Sequence, residues 1–134
     1  MEMTVDAVAG VSQDGNFRSP NFASRRPIDL VHLARYTLGN RTSEHEVLEL
    51  FRTQSKLYLQ RLKEAVSDRA WQDAAHTIKD SALGIGAWRV AAVAERAEAL
   101  DQHDRAVKQG QVMEALSAQI DEANGYIEAL LADR

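Results

Sequence analysis

From Ile28 to the end of the chain, apolar residues recur at intervals of three and four, which is the period of an amphipathic α-helix. The clearest run is Trp71, Ala75, Ile78, Ala82 and Ile85, at intervals of 4, 3, 4 and 3. No proline interrupts this pattern after Pro27. The pattern therefore predicts an all-α domain.

Turn-forming and capping residues divide this region into five predicted helices. In chain order the first boundaries are Gly39-Asn40, a capping box of Ser43 with Glu46, and a break at Ser67-Asp68 with Asp68 as N-cap. A loosened backbone at Gly84 and Gly86 follows, and then a polar connection over 101–110, for which partly helical structure is the alternative. The first helix is short and the other four are long. We expect an antiparallel four-helix bundle with a short additional N-terminal helix.

Residues 1–27 have a different composition. They contain both prolines and several glycine, serine and asparagine residues, and no apolar period runs through them. We interpret 1–27 as a flexible polar leader and 28–134 as the bundle domain.

Composition excludes several functions. The chain has no cysteine, so a thiol nucleophile or a cysteine-ligated metal is impossible. Its 16 basic and 20 acidic residues give a net charge of -4, which provides no electrostatic basis for binding nucleic acid or an anionic membrane. No apolar run is long enough for a membrane span, and no secretory signal is visible, so we expect a cytoplasmic protein.

No familiar catalytic motif or metal-ligand pair is present, and the candidate chemistry rests on one histidine. His76 follows the buried position Ala75, so it lies off the apolar stripe on the outer face of the third helix. An imidazole there can act as a nucleophile toward phosphorus, and Lys79, one turn later, can steady a phosphoryl group. The competing interpretation is an ordinary surface histidine.

The stretch from His76 to Ala87 resembles the signature of histidine-containing phosphotransfer (HPt) domains. That signature has lysine at +3 from the histidine, glycine at +4, small residues at +5 and +6, an aliphatic residue at +9 and glycine at +10. The matching positions are His76, Lys79, Ser81, Ala82, Ile85 and Gly86. The resemblance implies that His76 is the phosphoacceptor, that Lys79 stabilises the phosphoryl group, and that Ser81 and Gly86 support the local packing.

The resemblance also suggests roles outside the signature. Phe51 corresponds to a buried aromatic residue of the family, and Gln54 to a glutamine that in some members reaches toward the imidazole. Gln72, Asp73 and Leu83 surround the histidine and are candidates for partner docking.

One position departs from the family. Asp80 stands at +4, where HPt domains usually have glycine. A carboxylate at i+4 can contact His76, favours the protonated ring and repels an incoming phosphoryl group, and Asp73 would add to this effect. Either transfer is slowed, or the partner is adapted, or the protein is a degenerate docking module that binds receivers without transferring phosphate.

By resemblance, the protein is a phosphocarrier in a two-component phosphorelay rather than an enzyme with an ATP site. It would exchange a phosphoryl group between His76 and the aspartate of response-regulator receiver domains, or accept one from a hybrid histidine kinase. The resemblance implies no cofactor on this chain, because Mg²⁺ belongs to the receiver.

Overall fold

The structure of the protein, a computed structural model, describes residues 26–133, and these contain five α-helices and no strand. The helices are α1 (Leu30–Tyr36), α2 (Arg41–Glu64), α3 (Asp68–Ile85), α4 (Trp88–Glu98) and α5 (Gln102–Ala132). The predicted all-α class is confirmed. The predicted leader lies almost entirely outside the described residues, so its boundary stays a prediction.

The four long helices form a closed bundle. Each packs against its neighbour in the chain, α2 also packs against α5, and the short α1 packs on α3. Connections of two or three residues join α2 to α3, α3 to α4 and α4 to α5, so consecutive helices run antiparallel. The expected antiparallel four-helix bundle with an additional N-terminal helix is therefore confirmed.

The predicted stripe of the third helix forms the centre of the core. All five of its members are at most 3% exposed, and Phe51 on α2, the expected buried aromatic residue, is also 3% exposed. Trp71 is the largest fully buried side chain. Hydrophobic burial on this scale contributes roughly 1.5–3 kcal/mol per large apolar side chain, which holds α3 in the middle of the bundle.

Two predicted helix caps are wrong by a few residues. The side chain of Asn40 accepts the backbone N–H of Ser43, so α2 begins at Arg41 without the Ser43 and Glu46 capping box. Likewise, the hydroxyl of Ser67 accepts the N–H of Ala70, which makes Ser67 the N-cap of α3. In both cases an earlier side chain satisfies the free N–H groups of the first turn.

The predicted polar connection over 101–110 is also wrong, because these residues belong almost entirely to α5. Asp101 caps that helix by accepting the N–H of Asp104 at 2.8 Å. Arg105 then reaches Asp68 at 3.0 Å and lies over the ring of Trp71. The first turns of α5 are thus held by polar contacts, which a search for apolar periodicity does not detect.

The turn between α3 and α4 depends on Gly86 alone. The helix continues through Gly84, so only Gly86 departs from helical geometry, with a φ of 79° as the C-cap of α3. Its carbonyl accepts the N–H of Asp29, and a Cβ at Gly86 would lie 3.0 Å from the Asp29 carbonyl oxygen. Glycine is therefore required both by the left-handed backbone and by the close approach of the chain before α1.

None of the helices within the described part of the chain is both long and apolar enough to cross a membrane.

We predict that Gly86→Ala destabilises the bundle by about 1–3 kcal/mol, because alanine meets both the positive φ and the contact with Asp29. The matched control is Gly125→Ala in α5, where a Cβ would meet nothing within 4 Å. That substitution should stabilise the protein by about 0.5–1 kcal/mol. Urea unfolding measures the free energy of unfolding of both variants. Equal changes in the two would contradict the requirement for glycine at position 86.

Candidate functional site

His76 lies halfway along α3 with its side chain 52% exposed. The neighbouring Ala75 is fully buried and anchors this turn of the helix to the core. The imidazole is therefore held on a rigid helix face at an open surface, as the sequence predicted. Two carboxylates and one ammonium group surround it.

Glu98 is the group that the sequence analysis missed. Its Oε2 lies 2.9 Å from Nδ1 of His76, and its side chain is only 28% exposed. The hairpin of α3 and α4 explains this contact, because His76 precedes Gly86 by ten residues and Glu98 follows it by twelve. Counting outward from the predicted turn would have placed the two residues level with each other.

A buried hydrogen bond fixes the end of α4 on which Glu98 stands. The indole Nε1 of Trp71 donates to the carbonyl oxygen of Ala97 at 2.6 Å. Ala97 itself is fully buried. The same carbonyl also accepts the backbone N–H of Leu100 at 3.2 Å, and the indole bond holds this last turn of α4, with the adjacent Glu98, against α3.

Lys79 completes a three-residue cluster. Its Nζ lies 2.8 Å from Oε1 of Glu98, so the two oxygens of that carboxylate face Lys79 and His76 separately. The hydrogen bond to Glu98 raises the pKa of Lys79 above its ordinary value, against the effect of burial. Burial acts to raise the pKa of Glu98, but the hydrogen bonds from Lys79 and His76 outweigh it and lower that pKa.

Asp80 contacts the other ring nitrogen of His76. Its Oδ2 lies 3.1 Å from Nε2, and its side chain is 61% exposed. Asp73 makes no such contact, because its Oδ2 lies 3.4 Å from Nε of Arg69. The expected direct contact at i+4 is present, while Asp73 is directed to Arg69 instead of adding to the effect at the ring.

The remaining predicted site residues are distributed around this cluster. Gln72 is exposed on α3, and Leu83 is half-buried and packs against the core. Ser81 is half-buried on the same helix. Gln54 is half-buried on α2, and within residues 26–133 no hydrogen bond joins it to His76, so its role stays a prediction.

A groove in the described part of the molecule lies away from this cluster. It has a volume of about 700 Å³ and runs between α2 and α5, lined by residues such as Lys56, Leu59 and Met113. None of the predicted site residues lines it. Across the described residues, no group of three or more histidine, aspartate and glutamate side chains is placed to hold a metal ion.

A comparison with protein families identifies the class. The sequence model of the Hpt domain matches residues 46–130, which is more than half of the chain. Together with the four-helix bundle, this match shows that the chain belongs to the HPt domain family. The resemblance carried by His76, Lys79 and Gly86 is thereby confirmed at the level of the family, and the protein has a role in phosphotransfer.

One solved structure is similar to this chain over most of the length of both proteins. It is the crystal structure of the histidine phosphotransferase ShpA from Caulobacter crescentus, with 30% sequence identity and a TM-score of 0.62. The similarity covers 80% of this chain and 92% of ShpA. No curated protein sequence matches the chain.

We predict that Glu98→Gln lowers the free energy of unfolding by about 1 kcal/mol at pH 7. Because the folded pKa of Glu98 is lowered, its contribution is present above the unfolded pKa and is lost as the pH falls through the folded value. The raised pKa of Lys79 keeps that side chain charged throughout this range. The difference between wild type and variant should therefore shrink in acid.

Urea unfolding of both proteins at pH 7 and near pH 3 tests this. Glu114→Gln is the control, since Glu114 is an exposed carboxylate on α5 far from the cluster. Equal destabilisation by Glu98→Gln at both pH values would show that the loss comes from packing and not from charge.

Proposed function

We propose that the protein is a phosphocarrier that accepts a phosphoryl group on His76 and passes it to a partner. The donors and acceptors are the aspartates of response-regulator receiver domains, with a hybrid histidine kinase as a further donor. One observation carries this proposal: the exposed imidazole of His76 has Nδ1 on the carboxylate of Glu98, whose neighbour Ala97 is hydrogen-bonded to the buried Trp71.

That contact determines which nitrogen reacts. A carboxylate can only accept, so Nδ1 carries the proton and donates to Glu98. In the neutral ring the lone pair then lies on Nε2, on the exposed side of the ring beside the Asp80 carboxylate. Nε2 is therefore the nucleophile of the proposed transfer.

In the transfer step, the Nε2 lone pair forms a bond to phosphorus while the bond between phosphorus and the aspartyl oxygen of the receiver breaks. The carboxylate of the receiver leaves with the electron pair of that bond. The imidazole ring keeps its proton on Nδ1 and gains a positive charge, which the Glu98 carboxylate stabilises at 2.9 Å. Return of the phosphoryl group to a second receiver reverses these changes.

Lys79 is the cation nearest to this step. It lies one turn after His76, and its ammonium group is held at 2.8 Å by Glu98 in the free protein. We infer that Lys79 turns toward the phosphoryl oxygens as they arrive. Its ammonium group then neutralises negative charge on these oxygens, which the imidazole does not contact. Glu98 would keep the ammonium group in place until then.

The partner supplies the other groups that phosphoryl transfer needs. The receiver supplies the acidic pocket and the Mg²⁺, and this chain supplies the histidine, so the chain acts as a carrier without an ATP site of its own. The cysteine-free composition is compatible with the cytoplasm, where we expect the exchange to occur.

A second function is favoured by a specific observation. Asp80 lies 3.1 Å from Nε2, the nitrogen that has to react. If that contact persists when a receiver docks, the protein binds the receiver without taking its phosphoryl group. Gln72, Asp73 and Leu83 would form the docking surface in either case.

We predict that His76→Gln abolishes labelling by a ³²P-phosphorylated receiver domain, because glutamine has no nucleophilic ring nitrogen. The helical circular dichroism should be unchanged, since the side chain lies outside the core. His103→Gln, which removes an exposed histidine on α5, is the control and should keep full labelling. Label retained in His76→Gln would refute the site, and receiver binding without label in the wild type would favour the docking module.

We also predict that Lys79→Gln slows transfer by roughly tenfold or more, because it removes the cation that stabilises the phosphoryl group. Lys56→Gln, at an exposed lysine of the groove on α2, should leave the rate unchanged. Initial labelling rates with the same phosphorylated receiver measure both. A rate for Lys79→Gln equal to that of the wild type would limit Lys79 to a structural role.

A further inference from the structure

Both ring nitrogens of His76 face carboxylates in the free protein, Nδ1 at 2.9 Å from Glu98 and Nε2 at 3.1 Å from Asp80. Neither carboxylate can donate, so the Nδ1 contact is a hydrogen bond from the ring to Glu98, and the Nε2 contact is an ion pair with Asp80 only when the ring carries a second proton. An imidazole with protons on both nitrogens has no lone pair for phosphorus. While Asp80 holds a second proton on Nε2, the nucleophile is closed.

The two carboxylates differ in how firmly they are held. Glu98 is half-buried, follows Ala97, which is hydrogen-bonded to Trp71, and binds Lys79 as well. Asp80 is 61% exposed, and its single ion pair among residues 26–133 is the one to Nε2. Exposed pairs of this kind are weak, so Asp80 is the group that can move away from the ring.

We propose that Asp80 closes Nε2 in the free protein and that a receiver opens it with a basic side chain that pairs with Asp80. This inference rests on the proposed function of His76. Asp80 is then a specificity-determining residue. With a receiver that lacks this basic side chain, Asp80 stays on Nε2 and the phosphoryl group is not transferred.

The chain itself offers no free cation for this purpose on the described face around His76. Lys79 is engaged by Glu98 at 2.8 Å, and Arg69 by Asp73 at 3.4 Å. Docking removes water from Asp80, and a desolvated carboxylate is costly unless it is paired. The charge that stabilises the open position of Asp80 therefore has to come from the partner.

Two phosphoryl donors separate the closure of Nε2 by Asp80 from the pairing of Asp80 with a receiver. One donor is a phosphorylated receiver domain, and the other is the small molecule phosphoramidate. Phosphoramidate presents its phosphoryl group without a docking surface. As Nε2 bonds to phosphorus, the P–N bond breaks and the protonated nitrogen leaves as ammonia with the bonding pair. When Asp80 moves away, the second proton leaves Nε2 to water, so the ring is neutral before the step. It then keeps its Nδ1 proton and gains the positive charge, and the step needs no further reactant.

In the first arm, wild type and Asp80→Ala are incubated with phosphoramidate, and phosphohistidine is followed by ³¹P NMR. Opening Nε2 should raise the rate of Asp80→Ala by roughly three- to tenfold. Glu95→Ala is the matched control, because Glu95 is an exposed carboxylate near Lys79 that has no contact with the imidazole. An equal rise in both variants, or no rise in Asp80→Ala, would overturn closure by Asp80.

In the second arm, the donor is a phosphorylated receiver domain that labels the wild type. Asp80→Ala removes the closure and the pairing together, so its gain in rate over the wild type should be several-fold smaller with the receiver than with phosphoramidate, and Asp80→Glu should restore part of the pairing. An equal gain with both donors would overturn the pairing of Asp80 with a cation of the partner. Label on His76→Gln in either arm would instead refute the proposed function, so the two failures are distinguishable.

Discussion

The indole of Trp71 and the carbonyl of Ala97 make the contact on which the site depends. Trp71 is fully buried, and its N–H needs an acceptor in the core. Ala97 lies in the last turn of α4, and its carbonyl accepts the indole N–H at 2.6 Å as well as the backbone N–H of Leu100 at 3.2 Å. The bond satisfies the buried indole and fixes α4 in register against α3. A shift of one residue along either helix would separate Glu98 from His76.

Two other contacts explain how a carboxylate is tolerated at the end of α4. A negative charge near a helix C-terminus is opposed by the helix dipole, and Glu98 is also partly desolvated. Lys79 at 2.8 Å and His76 at 2.9 Å compensate for both effects. The unfavourable position of the Glu98 carboxylate therefore favours positive charge on the side chains of Lys79 and His76. An imidazole that gains charge on receiving a phosphoryl group is favoured by the same electrostatics.

The sequence predicts the parts of this protein that follow from periodicity. The stripe from Trp71 to Ile85 and the all-α bundle follow from apolar spacing, and the HPt signature points to His76 and Lys79. Helix starts at Asn40 and Ser67 were missed because adjacent polar residues compete for the same cap. The start of α5 was missed because Arg105 is held by Asp68 and Trp71, which lie far from it in sequence. Glu98 was missed because its role depends on the register of two helices.

The antiparallel order of the helices brings both boundaries of the described domain to one pole. Residues before α1 enter beside the turn at Gly86, where Asp29 is bonded to it, and α5 runs back toward the same pole. His76 lies ten residues from that turn, or about 15 Å along α3. Within residues 26–133, both ends of the chain therefore lie at this single pole. The short connections around Ser67 and Asp101 form the opposite pole, so neither end of the described chain lies on that side of His76.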